Sequence, residues 1–403
     1  MLQSMVPDTE RGSLDECGSL DAADPLAPIV AQFASGEPGV LYFDANSIGA
    51  MPRAAERSLE RLAAEWRRLR KRGWTDSDWI DAPARLGDKL APVIGAEPGS
   101  VVVCDSTSVN IYKAVRLALG LSRRKIVLAE EGAFPTDLYV AEAAARDGNG
   151  FFEKTSSLEK AIGEKTAVVL VTHTDYRSGY RHDLAALTRL AHEHGALTVW
   201  DVSHSAGAVE VGLGAGKADF GVGCGYKYLC GGPGAPAWLY VAPRHQGAVA
   251  PVIPGWMGHA DPMAFAPAYV PAAGAKRHLA GTPGVAGNML MEAALDLWRD
   301  IDPQAAFAKH AALSEFLIRI ILADSKTGLT LASPRDPAQR GGFVAFRHSK
   351  AKDFVKGLEQ RGAIASYRSP DIVRFGLSPL YHRHADIAAL GERLRQPETE
   401  RIE

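Results

Sequence analysis

The chain has 403 residues, enough for a large core and, because single cores stop growing at roughly 250 to 300 residues, for two domains. Its 46% hydrophobic and 23% charged content is that of a folded globular enzyme, and a net charge of -2 supplies no bulk attraction to nucleic acid or to an anionic membrane. Function must therefore reside in a site. No basic region followed by an apolar run opens the chain, and nothing approaches the roughly 18 apolar residues of a membrane span, so a cytoplasmic location is expected. Cys17, Cys104, Cys224 and Cys230 have no C-x-x-C spacing and read as reduced thiols.

In chain order, residues 1 to about 40 form a polar arm with one apolar patch, Pro28 to Ala31, expected to lie over the body or a partner. YFDANSIGAMP (42–52) reads as a short strand breaking into a turn. The helix that follows carries Leu59, Leu62, Ala63, Trp66 and Leu69 as an apolar stripe, with the basic run Arg67 to Arg72 on a solvated face. Residues 73–83 read as an aspartate-rich loop holding Trp74 and Trp79. From Val101 apolar strands alternate with helices, with strands at 101–104, 125–129, 166–172, 196–200, 218–224 and 235–241. That pattern predicts a mainly parallel sheet sandwiched by helices, with ligands outside the carboxyl ends of its strands. A Pro/Gly-rich segment (243–286) has little periodicity and reads as functional. Helices and strands from about 301 predict a smaller C-terminal α/β domain. The expected division is thus 1–50 as arm and start of the small domain, 51–300 as the large domain and 301–403 as the small domain.

Polar groups collect at the predicted strand ends. Asp201 closes one strand, with His204 just beyond, and Lys227 follows the next, flanked by Tyr226 and Tyr228 and a glycine run. A carboxylate and an amine so placed suit pyridoxal 5'-phosphate (PLP): the amine forms a Schiff base and the acid keeps the pyridine nitrogen protonated. Ser106 and Thr107 open a helix after a strand, where hydroxyls and free N–H groups either cap the helix or hold a phosphate. Phe134 and Asp137 sit after another strand, as a stacking ring and an acid or as an ordinary helix start. Thr172 ends a further strand. No metal site is expected. His192 and His194 lie two apart on a helix, and His382 and His384 read as surface histidines.

The ordered motifs FDANSIGAMPRAA, DSTSVNIYK, FPTDLYVAE, THTDYRSGYRHD, WDVSHSAGAVEV, GCGYKYLCGGPGAP, GWMGH and VRFGLSPLY cover most of the chain. In them the chain resembles the kynureninase family, PLP enzymes of fold-type I in the class V aminotransferase group. The resemblance implies Lys227 as the Schiff-base lysine, Asp201 at the pyridine nitrogen with Asp137 and His204 nearby, and Phe134 stacked on the ring. It matches Ser106, Thr107, Tyr226 and Trp256 to cofactor and phosphate contacts, Thr172 to another, and Thr282 to one reaching PLP from the other subunit of a homodimer. It matches Arg374 to the arginine gripping the substrate α-carboxylate, and Ser47 and Trp74 to positions lining its aromatic ring. The implied reaction is hydrolysis of L-kynurenine, or a ring-substituted form such as 3-hydroxykynurenine, to an anthranilate and L-alanine, with Lys227 and Tyr226 moving protons. Ala45, Thr75, Cys230 and Gly284 depart from the family pattern, and Ala45 and Thr75 border the ring pocket. A class V aminotransferase is the rival enzyme, a cysteine desulfurase lacks its late cysteine here, and an inactive PLP-binding protein would not need all of Lys227, Asp201, Tyr226 and Arg374.

Overall fold

The computed structural model describes residues 16–396. Its strands are β1 (Leu41–Tyr42), β2 (Val101–Val103), β3 (Ile126–Glu130), β4 (Phe151–Thr155), β5 (Thr166–Thr172), β6 (Leu197–Asp201), β7 (Phe220–Cys224), β8 (Ala237–Val241), β9 (Thr330–Leu331), β10 (Phe343–Arg347), β11 (Ala363–Ile364), β12 (Ser366–Arg368) and β13 (Ile372–Gly376). The principal helices are α1 (Arg53–Leu69), α2 (Ala82–Leu90), α3 (Thr107–Leu121), α4 (Pro135–Asp147), α5 (Leu184–Glu193), α6 (Val285–Leu295), α7 (Pro303–Leu322), α8 (Ala351–Gln360) and α9 (His384–Arg395).

Seven strands form the main sheet in the order β2-β8-β7-β6-β5-β3-β4, with β8 alone antiparallel to its neighbours. Both faces are covered, which is why β5, β6, β7 and β8 are almost wholly buried apolar runs rather than alternating ones. Two apolar clusters lie on either side of this sheet, and a third fills the C-terminal unit around Leu317, Phe346 and Phe375. Phe43 belongs to that third cluster. Its N–H donates to Ile364 and its carbonyl accepts from Gly376, so β1 and the turn after it are built onto the C-terminal unit.

The arm lies on the body. Asp21 accepts from His384 and from the first N–H groups of α9, and Asp24 pairs with the buried Lys309 of α7. His384 is thus buried on a carboxylate, and His382 is buried between the Tyr42 carbonyl and the Ser378 N–H. These two histidines are therefore not surface residues: they tie the chain's start to its end. Within α1 only Ala55 and Leu69 are buried, while Leu59 and Trp66 are 45% and 68% exposed, so the apolar stripe is not core within one chain. The expected loop over 73–83 instead holds a helical turn, Gly73–Asp76, and Trp79 is buried with its indole N–H on Glu65. Strand β4 was not expected, since FFEKT at the sheet edge exposes Phe151 and lacks the apolar run of its neighbours.

Candidate active site

Five parallel strands, β2, β3, β5, β6 and β7, end on one edge of the main sheet, and there a cavity of about 330 Å³ opens. It is lined by Ser47, Thr107, Phe134, Asp137, Thr172, Asp201, His204, Tyr226, Lys227 and Arg374, ten of the residues singled out from sequence. The turn from β2 into α3 is set by Asp105, whose left-handed backbone (φ 53°) brings its carboxylate to Lys113 at 2.6 Å. Lys113 is held in turn by the His278 carbonyl. Ser106 then caps α3, accepting from the Val109 N–H, so the positive end of the helix faces the cavity at Thr107 and Ser108.

The Lys227 loop is fixed from the other side. Gly49 donates to the Tyr226 carbonyl, and a Cβ at Gly49 would stand 2.3 Å from the Lys227 carbonyl oxygen and 2.6 Å from Cys230 Sγ. The FDANSIG turn therefore reaches the lysine loop only because position 49 has no side chain. Cys230 itself adopts φ 58°, a conformation that asparagine tolerates better than cysteine.

Lys227 Nζ lies 3.0 Å from His204 Nε2. Burial, then the Lys227 charge, holds the His204 imidazole well below its ordinary range, so the ring is neutral and accepts from the ammonium. Asp201 accepts from the Ser203 N–H and hydroxyl at 3.0 and 2.6 Å. Beside it Asp137, buried, accepts from the Thr172 hydroxyl at 3.1 Å. Burial, reinforced by the Asp201 charge, raises the Asp137 carboxyl well above the carboxylate range. The two acids thus share a site in which only one ionises comfortably, and a protonated ring nitrogen against them would relieve the repulsion. Tyr226, 37% exposed and beside the Cys224 thiol, has its phenol raised and stays protonated.

Arg374 enters from the C-terminal unit. Fully buried, it donates through Nη1 to the Tyr176 carbonyl at 2.6 Å and through Nε to Ser366 Oγ at 3.2 Å, while Nη2 has no partner. Its Cζ lies 5.1 Å from the Phe343 ring. An unpartnered buried guanidinium nitrogen at a cavity calls for an anion. With the amine of Lys227, the acid pair, the helix N-terminus and the Phe134 ring on the same cavity, the donor set fits PLP and an amino acid.

Four expected residues lie outside that cavity. Ser106 is at its margin, while Trp74, Trp256 and Thr282 are not on its wall. Trp74 packs edge-on to Trp79, Trp256 stacks on Phe265, and Thr282 is exposed. Sequence reading passed over Tyr176, whose ring meets Phe134 edge-on at 5.3 Å, as well as Asn46, Thr136, Ser203 and Arg368. Ser203 could have been found as the residue whose N–H closes an Asx-type turn begun by Asp201. Among the described residues no group of three or more His, Cys, Asp or Glu is placed to hold a metal ion.

Residues 307–394 match the family model for the kynureninase C-terminal domain. Over 398 residues the chain is 44% identical to a kynureninase of Deinococcus radiodurans, covering 96% of each. It is 41% identical to one of Pseudomonas fluorescens, covering 93% of this chain and 92% of that one. The chain belongs to the kynureninase family. Solved structures of similar fold include a cysteine desulfurase of Thermococcus onnurineus (TM-score 0.74, 19% identity, 93% of this chain and 96% of that one). Another is an Escherichia coli cysteine desulfurase (TM-score 0.76, 17% identity, 92% and 97%). At such identities the likeness concerns the fold, that of PLP enzymes of fold-type I. The four cysteines of this kynureninase-family chain are all free and buried, and burial pushes the Cys230 thiol up to about 12, so that thiol is no ready nucleophile.

Proposed function

We propose that the cavity holds PLP on Lys227 and hydrolyses L-kynurenine, or a ring-substituted kynurenine such as 3-hydroxykynurenine, to an anthranilate and L-alanine. The reaction is that of the family. The observation that carries the site assignment is the convergence, on one cavity, of the Lys227 amine, the Asp137–Asp201 pair and the unpartnered Arg374 nitrogen.

In this reading Ser106 and Thr107 take the phosphate at the α3 N-terminus, Phe134 stacks on the ring, and Asp201 holds a proton at the pyridine nitrogen. Asp137, tied to Thr172, keeps Asp201 in place. Bound PLP supplies an electron sink for the charge left when the substrate Cα–H bond is broken. Lys227 takes that proton, and neutral His204 orients the amine when it is free. Water adds its oxygen to the γ-carbonyl carbon, the Cβ–Cγ bond breaks, and Cβ takes a proton that the phenol of Tyr226 is placed to give. Arg374 receives the α-carboxylate, and Ser47 faces the aromatic ring.

Trp74, Trp256 and Thr282 fit best as residues of a second subunit's site. The exposed stripe of Leu59 and Trp66 on α1 supports a homodimer whose active sites lie at the interface. The main sheet and its helices, 51–300, would then be the cofactor domain, and the C-terminal unit joined by β1 the smaller one. Free cysteines suit a reducing, cytoplasmic setting, and no described helix is long and apolar enough to cross a membrane.

The test is to add L-kynurenine and 3-hydroxykynurenine to the protein loaded with PLP and to follow anthranilates and alanine. Equimolar anthranilate and alanine are expected, and release of neither product from either compound sinks the reading. Pyridoxamine phosphate with a keto acid would instead establish an aminotransferase.

A further inference from the structure

Arg374 is held in place by two of its five N–H donors, one on Nε to Ser366 Oγ and one on Nη1 to the Tyr176 carbonyl, and Nη2 is its unpartnered nitrogen. A carboxylate offers about four lone-pair sites, and one edge of one guanidinium leaves part of it unsatisfied in a largely desolvated place.

A second guanidinium lines the same cavity. Arg368 lies on β12, whose register with β13 sets Ser366 opposite Arg374 and Arg368 opposite Ile372. Residues 366, 368, 372 and 374 therefore share one face of the hairpin, and both arginines project toward the cavity from it. Arg368 is only half-buried, and among the described residues no carboxylate lies within 4 Å of it. Its one hydrogen bond is from Nη1 to the carbonyl of its own neighbour, Tyr367, at 2.7 Å, a local contact that a better acceptor displaces. The nearby acid of the hairpin turn, Asp371, is engaged by Arg347. Burial and then the Arg368 charge bring the Arg374 guanidinium down to about 10, with Asp44 and Asp175 acting in the opposite sense. Two like charges at one cavity wall repel, and an anion bound by both offsets that cost.

We propose that Arg368 is a specificity-determining residue which, together with the immobile Arg374, binds the substrate's α-carboxylate. Arg374 is the fixed half of the clamp, and Arg368, less buried and less tethered, swings in from its resting place on the Tyr367 carbonyl. The proposal rests on the assignment of the α-carboxylate to Arg374. It selects for amino acids that carry a free carboxylate over their decarboxylated amines.

The experiment uses the PLP-loaded full-length protein and the variants Arg368→Gln, Arg368→Lys and Arg374→Gln. Three quantities are read: KM and kcat for L-kynurenine, the inhibition constant of L-alanine, and that of the decarboxylated amine of kynurenine. Arg368→Gln is expected to raise KM and the L-alanine constant together, on the order of 10- to 100-fold, as loss of charge-assisted hydrogen bonds implies. Its kcat should stay within about threefold, cofactor absorbance should be unchanged, and the constant for the decarboxylated amine should not move. Arg368→Lys should recover part of the loss. Unchanged constants in Arg368→Gln, or equal weakening of the amine that lacks a carboxylate, overturn the proposal. If Arg374→Gln alone leaves L-alanine binding intact, the assignment of Arg374 fails while Arg368 is still tested by its own variant. Should L-kynurenine not be turned over, spectral titration of the loaded protein with L-alanine decides the role of Arg368 independently of the reaction.

Discussion

Two buried carboxylates sit at opposite ends of the main sheet and live in opposite circumstances. Asp219, just before β7, accepts from the Thr198 N–H and hydroxyl and from His192 on one oxygen, and from Arg244 and His245 on the other. Although burial alone would push it up, the bonds from His192 and His245 hold its carboxyl far below the ordinary range. Asp201, at the end of β6 on the other edge, accepts from Ser203 and shares a hydrogen bond with a second acid, Asp137, with Lys227 nearby. Asp201 pairs with Val222, three residues after Asp219, which puts about 10 Å of strand between the two acids. The difference separates structure from function: a carboxylate whose oxygens are filled by protein donors is a staple, whereas one left beside a like charge is waiting for a ligand.

Asp201→Asn should therefore cost activity and little stability. In the proposed site it removes the charge that would hold a proton at the cofactor nitrogen, so kcat/KM is expected to fall on the order of 10³-fold, while the urea midpoint of the cofactor-free protein stays put or rises as the acid pair is relieved. A midpoint shift of Asp219 size, without the loss in turnover, would erase the distinction. Asp219→Asn should do the reverse. It leaves two histidines and an arginine facing an amide, which costs about 3 kcal/mol of unfolding free energy by denaturant titration, with kcat unchanged where the variant is folded. A large drop in kcat in the folded variant would show that the two edges are coupled.

The same contrast explains what was legible in the sequence. The parallel strands were readable because burial on both faces leaves runs such as TAVVLVT, and the site followed because ligand groups of this fold stand where those runs stop. Lys227, Asp201 and Thr172 needed no tertiary information beyond that. Strand β4 and the short β11 and β12 carry no such run, since an edge strand or a two-residue pairing is decided by its partner. Arg368 was missed for that reason: its place on the cavity follows from the β12–β13 register, not from its neighbours in sequence. His382 and His384 looked like surface residues because their partners, Tyr42 and Asp21, lie more than 300 positions away. The apolar stripe of α1 has the periodicity of a core face, yet Leu59 and Trp66 are exposed in the single chain, so periodicity alone does not say what a stripe packs against.

The smallest effect concerns histidines rather than acids, and it sharpens the comparison by pH. His173, His278 and His310 are buried without a carboxylate, and burial, the leading cause at each, brings them down to about 3, 3 and 4. A group whose pKa is lower in the folded state than in the unfolded chain adds stability above its unfolded value, about 6.5, and that contribution is lost as pH falls toward the folded value. Stability is therefore expected to decline from about pH 6.5 downward, each of the three contributing about 2 kcal/mol of loss by pH 5. Asp219, shifted in the same sense from a carboxylate's lower starting point, joins only in stronger acid. Replacing His310 by leucine should thus shrink the loss between pH 6.5 and pH 5 by about 2 kcal/mol in urea titrations, without altering the acid limb below pH 4 that the carboxylates set. An unaltered slope in that variant would mean that His310 charges without penalty, and that the polar groups around it, unlike those around Asp201, are already arranged for a cation.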